Sequence, residues 1–226
     1  MKISLAMCAA TLFLSLPATA STLVVNGSFE AGVPGNVAGN HNGQSFTNMP
    51  GNGGWDIWQN LVGWSAVSGD GIEIQTNGTI GEVDAQDGQY YVELDARGNS
   101  VMEQIVTLAK GSYLLSFWYS PRSADSLTNG IEYAIGDLLD GVVVGPSARQ
   151  NTAVGLWTLI SSPFIVTEAG TYALRFGAIG TSNGYGGLID NVSITAEEPA
   201  AVPVPAAGLL LIGALGGLGV LRRSKS

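Results

Sequence analysis

The sequence predicts an all-β fold, a β-sandwich of jelly-roll or Greek-key topology, on three observations. Nine short stretches alternate or are rich in β-branched residues, turn signals separate them, and no helical stripe of comparable length appears. Composition agrees: 32 of 226 residues are glycine and only 12% are charged, where roughly 25% charged is usual. That balance suits turn-rich strands better than helices with charged faces.

In chain order the strand candidates are Thr22 to Val25, Ile72 to Gln75, Gln89 to Leu94, Ser100 to Leu108, Gly111 to Tyr119, Ile131 to Ile135, Thr158 to Val166, Gly170 to Ala178 and Leu188 to Ile194. Asp87-Gly88, Ala109-Lys110-Gly111, Asn129-Gly130, Asp140-Gly141 and Glu168-Ala169-Gly170 read as the turns between them. Glu30 to Trp64 reads as a long loop, with a flexible crossing at Gly51-Asn52-Gly53-Gly54. A loop of that length binds something or is pinned by something. No internal repeat appears, and the strand candidates run evenly enough to define one folding unit, residues 21–197.

Both ends read as addresses. Lys2, the apolar run Ile3 to Leu16 and Pro17-Ala18-Thr19-Ala20 have the layout of a cleaved signal peptide over residues 1–20. Cys8, the chain's one cysteine, lies inside it, so the mature domain is expected to carry no thiol and no disulfide. Leu5-Ala6-Met7-Cys8 also offers a weak lipobox. Residues 198–226 hold a Pro motif (Val202-Pro203-Val204-Pro205), an apolar run from Ala206 to Leu221 and the basic Arg222, Arg223 and Lys225. The run is about 24 Å long as a helix, just short of a bilayer core of about 30 Å, with its basic end cytoplasmic. This three-part segment resembles the PEP-CTERM sorting signals, in particular their VPLPA variant, with Val204 in place of the variant's leucine. The resemblance implies a Gram-negative envelope protein, held in the inner membrane by its C-terminal helix until an exosortase-type enzyme processes it, and often found with exopolysaccharide. A permanent tail anchor is the alternative.

Between the ends, five basic side chains (Arg97, Lys110, Arg122, Arg149, Arg175) face nearly all of the chain's eighteen acids. Such a domain repels polyanions, which excludes nucleic acid as a partner, and offers carboxylates to divalent cations. The one histidine, His41, has no second histidine or cysteine to complete a zinc site. No nucleophile elbow, Walker loop or dinucleotide fingerprint stands in a strand-to-helix context. The domain therefore reads as non-catalytic, with glycoside hydrolysis by two acids such as Glu93 and Glu132 as the remaining enzymatic alternative.

Three blocks carry a second resemblance: Leu23-Val24-Val25-Asn26-Gly27-Ser28-Phe29-Glu30, then Gly63-Trp64 followed by Gly71 to Gln75 and Tyr91 to Asp95, then Gly187-Leu188-Ile189-Asp190-Asn191-Val192-Ser193-Ile194. Together they resemble the galactose-binding-like jelly roll shared by many carbohydrate-binding modules and by the DUF642 cell-wall group. The resemblance implies adjacent first and last strands and a structural calcium held by Glu30 and Asp190, with the Gly27 carbonyl assisting. Ordinary turn acids are the competing reading of the same residues.

For a sugar site the chemistry asks for an aromatic face beside planar polar groups that hydrogen-bond hydroxyls in pairs. Burying Val92 and Leu94 turns Glu93 outward, and burying Leu115, Phe117 and Tyr119 turns Trp118 outward with Arg122 at the strand end. Glu93, Trp118, Arg122, Asn129 and Glu132 are then expected on one concave surface. A structural bridge from Arg122 to Glu93 or Glu132 is the competing reading. The expectation is an exported, surface-sorted carbohydrate-binding domain of an exopolysaccharide or biofilm matrix; a structural matrix protein without sugar binding is the alternative.

Overall fold

The structure, a computed structural model, describes residues 22–32, 53–81, 83–123, 127–143 and 154–197. The signal peptide, His41 and the sorting segment lie outside the described residues. Twelve strands are seen among the described residues, all within the first of two compact units, Met1–Ala196. They are β1 (Trp55–Trp58), β2 (Asn60–Leu61), β3 (Trp64–Ser68), β4 (Ile72–Thr76), β5 (Tyr90–Glu93), β6 (Val101–Leu108), β7 (Gly111–Pro121), β8 (Gly130–Ile135), β9 (Leu139–Val143), β10 (Thr158–Val166), β11 (Gly170–Ile179) and β12 (Gly187–Ala196). They form two six-stranded antiparallel sheets, sheet A in the order β1-β4-β5-β12-β7-β10 and sheet B in the order β2-β3-β6-β11-β8-β9. From β5 onward the chain crosses between the sheets at almost every connection.

Alternation makes the two layers. On β7, Tyr113, Leu115, Phe117 and Tyr119 are buried while the residues between them are half-buried. Phe117 meets Tyr133 of β8 and Phe176 of β11 edge-on, each at 5.0 Å between ring centroids, the arrangement that ring quadrupoles favour. Trp64 closes one end of this core, 6.1 Å from Phe176 and 5.8 Å from Phe29. Its indole N–H donates to the Asn26 carbonyl at 3.1 Å.

Eight strand candidates coincide with strands, and four points are corrected. Thr22 to Val25 is not a strand: the Gln104 side-chain amide accepts from Val25 N–H at 2.7 Å and donates to Val25 O at 2.9 Å. A buried side chain thus takes the place of a neighbouring strand there. The segment read as one loop from Glu30 to Trp64 contains β1, β2 and the first residue of β3. Asp140-Gly141 lies within β9, and the turn before it is at Gly136, whose φ of 49° a glycine tolerates. Asn129-Gly130 opens β8.

The first and last segments do meet. Leu23 N–H donates to Ile194 O at 2.8 Å and Val192 N–H to Gly27 O at 2.9 Å. A β-bulge between Asp190 and Ser193, with Asn191 at φ 48°, frees the Val192 N–H for this bond. A Cβ at Gly27 would stand 1.9 Å from Val192 O, so only glycine permits the approach.

Candidate functional site

The site grows from the outer face of sheet A. Ile72, Ile74, Val92 and Leu94 enter the core, so Glu73 and Gln75 of β4 and Tyr91 and Glu93 of β5 project from the opposite face. Register then sets Glu73 beside Glu93 and Gln75 beside Tyr91, with Leu188 of β12 on the far side of Glu93. On β1, Trp58 is buried in the core while Trp55, paired with Gln75, is 48% exposed. Val83, Tyr91 and Leu188 make a second small apolar cluster here, with Ile80, Ala85 and Trp157 packed on it. They cover one part of the face and leave the part around Glu73 open.

At the open part a polar network gathers. Arg122 Nη1 contacts Glu93 Oε2, donates to Gly184 O at 2.9 Å and lies 3.9 Å from Glu73 Oε1. Gln75 Nε2 donates to Glu73 Oε1 at 2.7 Å and to Glu93 Oε2 at 3.2 Å, and Gly186 N–H donates to Glu93 Oε1 at 2.5 Å. The guanidinium lies over the Tyr185 ring, 4.7 Å from its centroid. Asp95 shapes the loop that carries Tyr185, its Oδ2 accepting the N–H groups of Asn183, Gly184 and Tyr185 at 2.9, 3.0 and 3.3 Å. Above this network lies a cavity of about 400 Å³ lined by Trp55, Glu73, Arg97, Arg122, Asn183 and Tyr185, among others. Three buried polar atoms of the same face, Gln75 Oε1, the Tyr91 hydroxyl and Asp95 Oδ1, have no hydrogen-bond partner among the described residues. Two of these are acceptors only, and a hydroxyl or amine donor is what completes them.

Burial, and then the charge of Glu93, push the Glu73 carboxyl up to about 8. Burial likewise pushes Glu93 up to about 7, against the pull of Arg122. The contacts divide the pair's charge: Glu93 has the guanidinium and the Gly186 N–H against it, whereas Glu73 has the Gln75 amide at bonding distance. Glu93 is therefore the anion and Glu73 the acid.

Of the five residues expected on one surface, the structure brings together two, Glu93 and Arg122. Trp118 points from the same sheet face but stands two strands from Glu93, half-buried between Leu159 and Asp190. Asn129 is fully buried and ties the turn after β7: its Oδ1 accepts from the Arg122 and Ser123 N–H groups at 2.9 and 3.2 Å. Glu132 projects from the outer face of sheet B, so it shares no surface with Glu93 and no hydrolytic pair forms between them. It borders a separate cavity of about 370 Å³ with Asp140, Val142 and Arg175. Arg175 is paired there with Glu103 at 2.6 Å, and the lining's one aromatic, Tyr133, is buried and bonded to Ser162.

The three groups expected to hold calcium are near one another but face N–H donors. Glu30 Oε1 accepts from Gln89 and Tyr90 at 2.7 and 2.8 Å, and Asp190 Oδ2 from Gln86 and Asp87 at 2.8 and 2.9 Å. Asp190 Oδ1 accepts from Asn191 at 2.6 Å, and Gly27 O from Val192. Those N–H groups occupy Oε1 of Glu30 and both oxygens of Asp190, and among the described residues no three acids, histidines or cysteines gather. The two acids instead clamp the segment 86–90 from both ends of the domain.

Sequence reasoning allows either Trp55 or Trp58 to stack on a ligand or to pin the loop, and the structure exposes Trp55 and buries Trp58; it missed Glu73, Gln75, Arg97 and Tyr185. The signal for two of them was present: alternation in Ile72-Glu73-Ile74-Gln75 turns Glu73 and Gln75 outward by the same rule that turned out Glu93.

No family model matches the chain, and no curated protein matches it. Among solved structures, the sandwich is similar to the TmCBM61 module in complex with β-1,4-galactotriose, at 17% identity and a TM-score of 0.44, covering 78% of this chain and 99% of that one. It is similar also to the carbohydrate-binding module CBM6cm-2 from Cellvibrio mixtus lichenase 5A in complex with cellotriose, at 16% identity and a TM-score of 0.38, covering 59% and 92%. The arabinose-bound α-L-arabinofuranosidase MgGH51 matches at 9% identity and a TM-score of 0.42, over 62% of this chain and 24% of that one. The fold is an antiparallel two-sheet sandwich resembling carbohydrate-binding modules; the likeness assigns no ligand.

Proposed function

We propose that this domain is a non-catalytic carbohydrate-binding module whose site is the open part of sheet A's outer face. One observation carries the reading: two exposed aromatic rings, Trp55 and Tyr185, flank a cavity whose remaining lining includes two guanidiniums, a carboxyl and an amide. Aromatic faces cover the apolar side of a sugar ring, and planar polar groups bond its hydroxyls in pairs. Hydrolysis is disfavoured because Glu73 and Glu93 are cross-strand neighbours that both accept from the one Gln75 amide nitrogen, whereas a glycosidase holds its two carboxyls about 5–10 Å apart across the scissile bond. The sheet B groove, with its aromatic buried, makes a poorer sugar platform.

The signal peptide and the PEP-CTERM-like tail support export and surface sorting, with membrane retention before processing by an exosortase-type enzyme, and a matrix exopolysaccharide as the partner. The test is affinity electrophoresis of the purified protein in gels containing neutral polysaccharides. We expect retention that Trp55→Ala and Tyr185→Ala each weaken about tenfold or more, the scale of one lost stacking contact, and that Trp118→Ala leaves intact. Retention lost with Trp118→Ala alone would move the site toward β7 and β10. No retention by a folded protein would favour the structural matrix reading.

A further inference from the structure

We propose that Glu73 meets its ligand as an uncharged carboxylic acid, one proton being held between Glu73 and Glu93, so that the site takes neutral, hydroxyl-rich glycans and releases them when that proton leaves. This rests on the sugar-binding reading and adds to it the charge class of the ligand and the control of its binding.

Geometry carries the argument. The two carboxyls are neighbours in register, accept from the same Gln75 amide nitrogen and are buried with the Arg122 guanidinium against both. Two carboxylates sharing one cation would leave a net buried charge, which a low-dielectric site does not sustain; a shared proton turns the repulsion into a hydrogen bond. The other groups facing the pair are mostly uncharged or acidic. β4 offers Gln75, β5 offers Tyr91 and the segment just after it Asp95, the 183–186 loop offers Tyr185, and β1 presents Trp55 while Asp56 alternates to the other face. Arg97 lines the same cavity and is the second guanidinium of the site. With Glu73 neutral, Arg97 and Arg122 balance Glu93 and Asp95, and the site has no net charge to offer a uronate. The surrounding excess of acids repels a polyuronate at a distance. The level of Glu73, about 8, places release just above neutrality.

The experiment measures affinity of the purified protein for neutral β-1,4-galactan, cellotriose and dextran, and for polygalacturonate and alginate, at about pH 7.5 and about pH 9.5. Binding only through the protonated form makes the apparent affinity for a neutral glycan fall roughly 25-fold over that range. The polyuronates should be unretained at both pH values. Glu73→Gln, which cannot ionise, should compress the ratio between the two pH values to below about threefold, while Trp118→Ala keeps it in full. Should Glu73→Gln fail to fold, the wild-type pH series decides alone. Affinity that is flat in pH, a Glu73→Gln variant that keeps the full fall, or preference for the polyuronates overturns this inference and leaves sugar binding standing. A folded protein that retains no neutral glycan overturns both.

Discussion

Arg122 answers several demands at once: it balances Glu93, bonds the Gly184 carbonyl and stacks on Tyr185. Its removal leaves Glu93 as a buried carboxylate held by amide donors alone. We expect Arg122→Ala to cost about 3 kcal/mol near pH 7, the usual penalty for stranding one partner of a buried pair. The cost should shrink near pH 5, where both carboxyls carry protons. Urea unfolding at the two pH values checks this, and an equal loss at both would mean that the side chain acts by packing. At this scale the sequence was readable where one rule applied locally. Alternation turned out Glu93, and the strand end fixed Arg122. Trp55 could not be told from Trp58 because it lies in a strand hidden by glycines, and Tyr185 escaped because it sits on a loop whose course Asp95 sets from 88 residues away. Asn129 misled because a polar residue beside a turn can as well tie the turn as face a ligand.

The strands show why elements are easier to read than their partners. β6, β7, β10, β11 and β12 declare themselves by alternation over eight or more residues. β1 and β2 are too short to alternate visibly, and β9 hides behind an Asp-Gly pair. Glu132 was placed with Glu93 because periodicity tells inside from outside but not which sheet. β10 carries Pro163 at the edge of sheet A, where the missing N–H costs no ladder bond. The segment 86–90 is the element most dependent on acids, since Glu30 and Asp190 hold it through four backbone N–H groups. Chelating divalent cations should therefore leave the melting temperature unchanged. A rise of several degrees on adding calcium, by mass action on a folded-state site, would support the calcium that the resemblance implied.

Over the whole domain, buried acids give stability a direction in pH. Glu73, Glu93 and Asp190 are pushed up to about 8, 7 and 7, each first by burial. In the unfolded chain they ionise near pH 4, so between roughly pH 4 and 8 the native state binds more protons than the unfolded one. Stability is then fullest below that window and falls as pH rises through it. Thermal melts from pH 4.5 to 9 should decline steadily, with Glu73→Gln flattening the upper part; a melting temperature that climbs with pH would contradict the assignment. The placing of β12 between β5 and β7 has a consequence for how the protein is made. The strand that joins both halves of sheet A, and that also receives the amino-terminal segment, is the last of the described strands to be synthesised. A nascent chain cannot seal sheet A until residue 196 has emerged, so until then its two halves stay unjoined and the chain remains threadable through a narrow conduit.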